Sequence, residues 1–279
     1  MKKYVVMMLI GFLCLASSAW AHPTTTHLWT NGSGDGLYST PANWNVGTVP
    51  DVWWQTVASI NGGGSVTHNT GFHQNLGIWV GDDGSGTGEL TVTSGSILVA
   101  GYNGTDAYPE GGWVAIGDDT PGLVTVDGGD LWANCDLHVG TWGGADATLN
   151  IFAGNMWAKK MQVGTWGNGQ VNISGGALQL MHRPDAYNSG SSLTINPGDN
   201  IDITGTGEIY HWGNATAGFA WLSDPVNGGL LTAYGGLGTV QYEYVAGGDY
   251  TRVWAIPEPA TLTLLGLGGL LLRKRRCAG

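Results

Sequence analysis

The sequence predicts an all-β chain wound as a right-handed parallel β-helix, a solenoid of about five or six coils with terminal caps, and three observations predict it. A Val/Ile-Gly marker recurs at Val80-Gly81, Ile116-Gly117, Val139-Gly140 and Val163-Gly164, with spacings of 36, 23 and 24 between the glycines. Three short apolar-x-apolar triplets recur inside each period. Glycine is 49 of 279 residues without a strict triplet, which excludes collagen and supplies corners between short strands.

The triplets follow in order. The first reads Ile78-Trp79-Val80, Val114-Ala115-Ile116, Leu137-His138-Val139 and Met161-Gln162-Val163. The second reads Leu90-Thr91-Val92, Val124-Thr125-Val126, Leu149-Asn150-Ile151 and Val171-Asn172-Ile173. The third reads Ile97-Leu98-Val99, Leu131-Trp132-Ala133, Met156-Trp157-Ala158 and Leu178-Gln179-Leu180. Period-2 alternation turns the outer pair of each triplet inward and leaves the middle residue on the surface. About six buried apolar side chains per coil do not offset the ordering of a whole period, so no coil stands alone and stacking supplies the rest. The first spacing is one period plus an insertion, placed at Tyr102–Gly112 as a bulging loop. A β-sandwich is the alternative, and it predicts no fixed spacing between marker glycines.

Five segments result. Residues 1–21 carry Lys2-Lys3, an apolar run from Tyr4 to Ala16 and Ala19-Trp20-Ala21, a cleavable signal peptide. Residues 22–56 alternate turn chemistry with single tryptophans and form an N-terminal cap. Residues 57–205 hold the repeats and 206–255 the closing strands. Residues 256–279 hold Pro257-Glu258-Pro259, a span from Ala260 to Leu272 and the cluster Arg273, Lys274, Arg275 and Arg276. Thirteen helical residues cover about 20 Å, short of a ~30 Å hydrocarbon core; thinning and snorkelling supply part of the difference. The basic cluster belongs on the cytoplasmic side, with the body outside.

This order of Pro-Glu-Pro, apolar span and basic cluster resembles the bacterial PEP-CTERM sorting signal. The resemblance implies a Gram-negative-type exporter with an exosortase, which recognises Pro257–Pro259 and removes the tail. It also implies residence in the cell envelope, at the cell surface or in exopolysaccharide, with a transient anchor in the inner membrane. The Trp-turn-Asn-Trp opening followed by Gly-rich repeats resembles many exported proteins that carry this signal.

Charge narrows the partners. Residues 22–256 carry four basic groups against twenty acidic ones, a net −16 that repels phosphate backbones and argues against nucleic acid. Of the three cysteines only Cys135 lies in the body, so no disulfide is expected.

If coils stack in register, middle residues form ladders about 4.8 Å apart. One ladder is Thr91, Thr125, Asn150 and Asn172; another is Leu98, Trp132, Trp157 and Gln179. Two residues past the marker glycines lie Asp83, Asp119, Trp142 and Trp166. The pairs Trp132/Trp157 and Trp142/Trp166 offer faces on which the rings of an extracellular polysaccharide could stack; the alternative is sheet stabilisation or cover by a loop or partner. Asp82-Asp83 and Asp118-Asp119 share one offset, giving either a solvated turn or an oxygen-rich Ca²⁺ site. No other cofactor is expected. The seven histidines are scattered, and no H-E-x-x-H, G-x-S-x-G or P-loop motif is present. A β-helix polysaccharide lyase or hydrolase would need a basic residue near acidic groups, and only His182-Arg183-Pro184-Asp185 and Lys159-Lys160 suggest one. The expectation is a non-catalytic, structural or glycan-binding exported protein.

Overall fold

Three parallel ladders of short strands carry most of the chain. The computed structural model describes residues 25–51, 56–82, 84–100, 112–180, 192–216, 226 and 228–258. The expected signal peptide, the Tyr102–Gly112 insertion up to residue 111, the His182–Asp185 stretch and the tail from Pro259 onward lie outside them.

The chain opens with β1 (Thr25–Leu28), followed by β2 (Thr56–Ile60), β3 (Gly64–His68) and β4 (Phe72–Asn75). Next come β5 (Gly77–Val80), β6 (Gly88–Val92), β7 (Ser96–Val99) and β8 (Trp113–Ile116). Two long bent strands follow, β9 (Gly122–Val139) and β10 (Asp146–Val163). After them run β11 (Asn168–Ile173), β12 (Ala177–Leu180), β13 (Ser192–Ile195), β14 (Asn200–Ile203) and β15 (Glu208–Trp212). The described part ends with β16 (Leu231–Ala233), β17 (Gly238–Val245) and β18 (Tyr250–Pro257).

The first ladder runs β1, β2, β5, β8 and then the last segments of β9 and β10 to β13, all parallel. The second runs β3, β6, the first segments of β9 and β10, then β11, β14 and β16, again parallel. The third runs β4, β7, the middle segments of β9 and β10, β12 and β15. The outer residues of the triplets are buried and superpose along each ladder. In the second, Val66, Leu90, Val124, Leu149, Val171, Ile201 and Leu231 follow one another in register. Such columns of branched side chains fill the interior, and apolar area leaving water is their main stabilisation.

The marker glycines turn the chain out of the first ladder. Gly140 has φ +79°, and a Cβ there would meet the Asn168 carbonyl carbon at 2.9 Å. Both the left-handed conformation and the close backbone approach exclude a side chain at this corner.

Parallel pairing continues past residue 205. Val-free stretches such as Glu208–Trp212 alternate as the earlier triplets do, and β15 and β16 extend the ladders of β12 and β14. Only then does the direction change: β18 lies antiparallel on β15 and on β17. The described residues therefore end in an antiparallel hairpin, whose second strand runs through Ile256 and Pro257.

At the opposite end the interior turns polar and aromatic. His68 and Asn75 occupy the inward positions that Val92 and Val99 hold one strand further along. Tyr38 covers them, donating its hydroxyl to Asn75 Oδ1 at 3.1 Å, while Trp44 Nε1 donates to the Tyr38 carbonyl at 2.9 Å. Trp29 and Tyr38 each meet Trp44 edge to face with centroids 5.1 Å apart, a geometry that suits aromatic quadrupoles.

Candidate functional site

The outward residues of the ladders form the candidate site. On the second ladder they are joined by hydrogen bonds: Asn172 Nδ2 donates to Asn150 Oδ1 at 2.9 Å, and Thr232 Oγ1 donates to Asp202 Oδ1 at 2.8 Å. Amides in register can each donate along the strand stack, so this face closes upon itself.

On the third ladder Trp132 and Trp157 are direct register partners, flanked by Leu98 and Gln179. Their rings stack with centroids 4.5 Å apart and planes 9° apart. Each ring thus spends one face on the other, and both are half-buried. Trp157 Nε1 is buried and finds no hydrogen-bond partner among the described residues.

Trp142 and Trp166 lie at the corners after Gly140 and Gly164, where the chain passes from the first ladder to the second. Their centroids are 4.3 Å apart and their planes differ by 25°. They are 51% and 60% exposed, far more open than the other pair. The structure brings together each of the two expected pairs, and it separates them in character: one braces a sheet face and the other stands in solvent.

Among the acidic residues, Asp82 Oδ2 accepts from Ser59 Oγ at 3.1 Å. Burial, and then the charges of Asp82 and Asp119, push the Asp118 carboxyl up to about 6. The amides of Asp118, Asp119 and Thr120 all approach the Gly81 carbonyl, at 3.0, 3.1 and 3.0 Å, so this corner is held by backbone. Asp83 lies outside the described residues. Among the described residues, no group of three or more His, Cys, Asp and Glu side chains is arranged to hold a metal ion.

Sequence reasoning missed two clusters. Arg252 on β18 reaches Glu208 on β15 through Nε at 3.1 Å and through Nη2, and its Nη1 lies 3.8 Å from Glu243 on β17. The guanidinium also sits 5.2 Å over the Trp254 ring, so one side chain ties three strands together. At the other end His68 packs against His73 with centroids 5.3 Å apart, and His73 Nδ1 lies 3.5 Å from Asp51 Oδ1. Burial first, and then His73, pushes the His68 imidazole down to about 4. The signal for both was a charged or imidazole residue at an inward or strand-centre position of the period.

The end of the hairpin carries the remaining candidate. Pro257 lies opposite Gly238, and the Glu258 amide donates to the Leu237 carbonyl at 3.4 Å. A family model for the PEP-CTERM protein-sorting motif matches residues 255–276. The chain carries that sorting motif. The PEP-CTERM motif implies export, sorting to the cell surface and processing by an exosortase-type system. No curated protein and no solved structure matches the chain. Among the described residues no helix is long and apolar enough to cross a membrane; the apolar span of the PEP-CTERM motif, with Pro259 and Arg273–Arg276, lies beyond them.

Proposed function

We propose that the chain is a non-catalytic exported protein whose body is a parallel β-helix, placed by its PEP-CTERM tail at the cell surface or in the exopolysaccharide matrix. The observation that carries this reading is that the sorting motif begins within β18, the last described strand of a body built of stacked parallel ladders. Three ladders whose partners lie one period apart support a coiled path for the chain. The body's net charge of −16 suits a hydrated, cation-attracting position in an extracellular matrix.

Within that role we assign polysaccharide contact to Trp142 and Trp166. Their outer faces and edges are exposed, and a flat apolar ring is the complement of the C–H face of a sugar. Trp132 and Trp157 serve the sheet instead, because both are half-buried against it, whereas Trp142 and Trp166 keep more than half of their surface in solvent.

The test is a pull-down of the purified body on extracellular polysaccharide from a producing strain. Trp142→Ala/Trp166→Ala should lose retention while Trp132→Ala/Trp157→Ala keeps it; equal retention by wild type and the first variant would remove the glycan contact. Deleting residues 257–279 should shift the protein from the envelope fraction to the medium or periplasm. Formation of new reducing ends or unsaturated product from the same polysaccharide would overturn the non-catalytic reading in favour of a lyase or hydrolase.

A further inference from the structure

We infer that the start of the sorting motif, Ala255 to Glu258, is stored as the last stretch of a paired β-strand, so the end of the β17–β18 hairpin must open before a sorting enzyme can take it. This rests on reading the tail as an exosortase-type substrate, and it concerns how the folded body presents that substrate.

The matched motif begins at Ala255, whereas β18 runs to Pro257. Ala255, Ile256 and Pro257 belong to both, opposite Val240, Thr239 and Gly238 of β17. The Glu258 amide then donates to the Leu237 carbonyl, which extends the pairing one residue into the Pro-Glu-Pro sequence. In an antiparallel pair, hydrogen-bonded and non-hydrogen-bonded positions alternate. Leu237/Glu258 is a hydrogen-bonded position, so Thr239/Ile256 is the next one and Gly238/Pro257 falls between. Proline has no N–H, and at a non-hydrogen-bonded position it breaks no bond to the partner strand. The first proline of the motif is therefore compatible with the strand instead of ending it.

The other edge of β18 is different. Its register with β15 closes at Glu208/Trp254, so from Ala255 onward the chain is held by β17 alone. Ile256 is 44% exposed and Thr239 opposite it is exposed as well. A strand end held on one edge, with little buried apolar surface, is a segment that opens locally at low cost while the rest of the fold stays intact. An enzyme that draws the extended peptide into its own cleft must first free it from β17, which pairs with it as far as Leu237. From Pro257 to the apolar span at Ala260 there are only a few residues, too few to carry the motif away from the hairpin.

The experiment follows processing of the full chain by pulse-chase in a strain with an active sorting system. Thr239→Cys/Ile256→Cys places a cross-link beside the motif; the ~5.5 Å Cα separation of a hydrogen-bonded pair suits a disulfide. The oxidised form should be processed about tenfold more slowly than the same variant after reduction, the size expected if local opening limits access. Thr239→Pro, which removes the amide facing Ile256 without moving the body from the membrane, should be processed severalfold faster than wild type. Processing of the oxidised form at the wild-type rate would overturn the inference and leave the sorting reading standing, with binding at the open edge of β18. A wild-type chain that is never cut would overturn the sorting reading itself, and this inference with it.

Discussion

Trp157 stacks face to face on Trp132, its register partner on the adjacent strand, with ring centroids 4.5 Å apart and planes 9° apart. Adjacent strands lie about 4.8 Å apart, so two such rings in identical rotamers fall into contact without distortion. Removing either ring exposes the other's face as well as the strands beneath. Each single Trp→Ala substitution should therefore lower stability by about 1–3 kcal/mol, with a coupling of roughly 1 kcal/mol in the double-mutant cycle. Denaturant midpoints at constant m-value measure this. Additive single effects would show that the rings do not support one another.

Much of the architecture was legible because inward residues repeat at a short, fixed offset. The triplet Leu149-Asn150-Ile151 announces its own strand and, through the period, the positions of its neighbours in β9 and β11. The same period placed Trp142 beside Trp166 and Trp132 beside Trp157. It gave positions but not rotamers, so it left open whether the faces pointed at each other or at solvent. The ends were harder. Arg252 and Glu208 are 44 residues apart in sequence and meet because β18 returns antiparallel across β15, a partner that local alternation does not specify. Likewise, His68 and Asn75 stand at positions that read as apolar elsewhere; inward, Asn75 accepts from Tyr38 of the cap, and the Ser94 carbonyl between β6 and β7 lies 3.0 Å from His68 Nδ1.

Two glycines separate backbone conformation from close packing. Gly140 and Gly144 have φ +79° and +73°, but a Cβ at Gly140 meets the Asn168 backbone at 2.9 Å whereas nothing lies within 4 Å of one at Gly144. Gly144→Ala should cost about 1 kcal/mol, from the left-handed conformation alone. Gly140→Ala adds a clash with backbone that cannot rotate away, and should cost about 2–4 kcal/mol. Thermal midpoints of the two variants provide the comparison. Equal losses would mean that the corner relaxes.

His68 makes the N-terminal end sensitive to acid. Its folded-state value is pushed down to about 4 from an ordinary 6.5, by burial and by the neighbouring His73. A depressed imidazole means that the unfolded chain takes up the proton first. The contribution of neutral His68 is thus fully present above about pH 6.5 and is lost as pH falls through the window down to about 4. His68→Val restores the residue type found at Val92 and Val126 in the same column and removes the titration. The stability difference between wild type and His68→Val should shift in favour of the variant as pH drops from 7 to 4. A difference that stays constant across that range would show that folding leaves the proton affinity of His68 unchanged.

Asp118 runs the opposite way. Burial and the nearby Asp82 and Asp119 push its carboxyl up from 3.8 to about 6, so the folded state disfavours its charged form. Above about pH 6 the carboxylate is a destabilising charge; as pH falls from about 6 toward 4 the folded chain protonates it ahead of the unfolded chain, and that penalty is relieved. Asp118→Asn keeps the shape and removes the charge, while the backbone bond from residue 118 to Gly81 is untouched. The variant should therefore be more stable than wild type at pH 8, and the advantage should shrink at pH 5. Millimolar Ca²⁺ discriminates the two roles of this acidic corner. A solvated turn leaves the melting temperature of wild type where it was, whereas an ion bound between Asp82 and Asp118 would raise it by mass action and cancel the benefit of the asparagine.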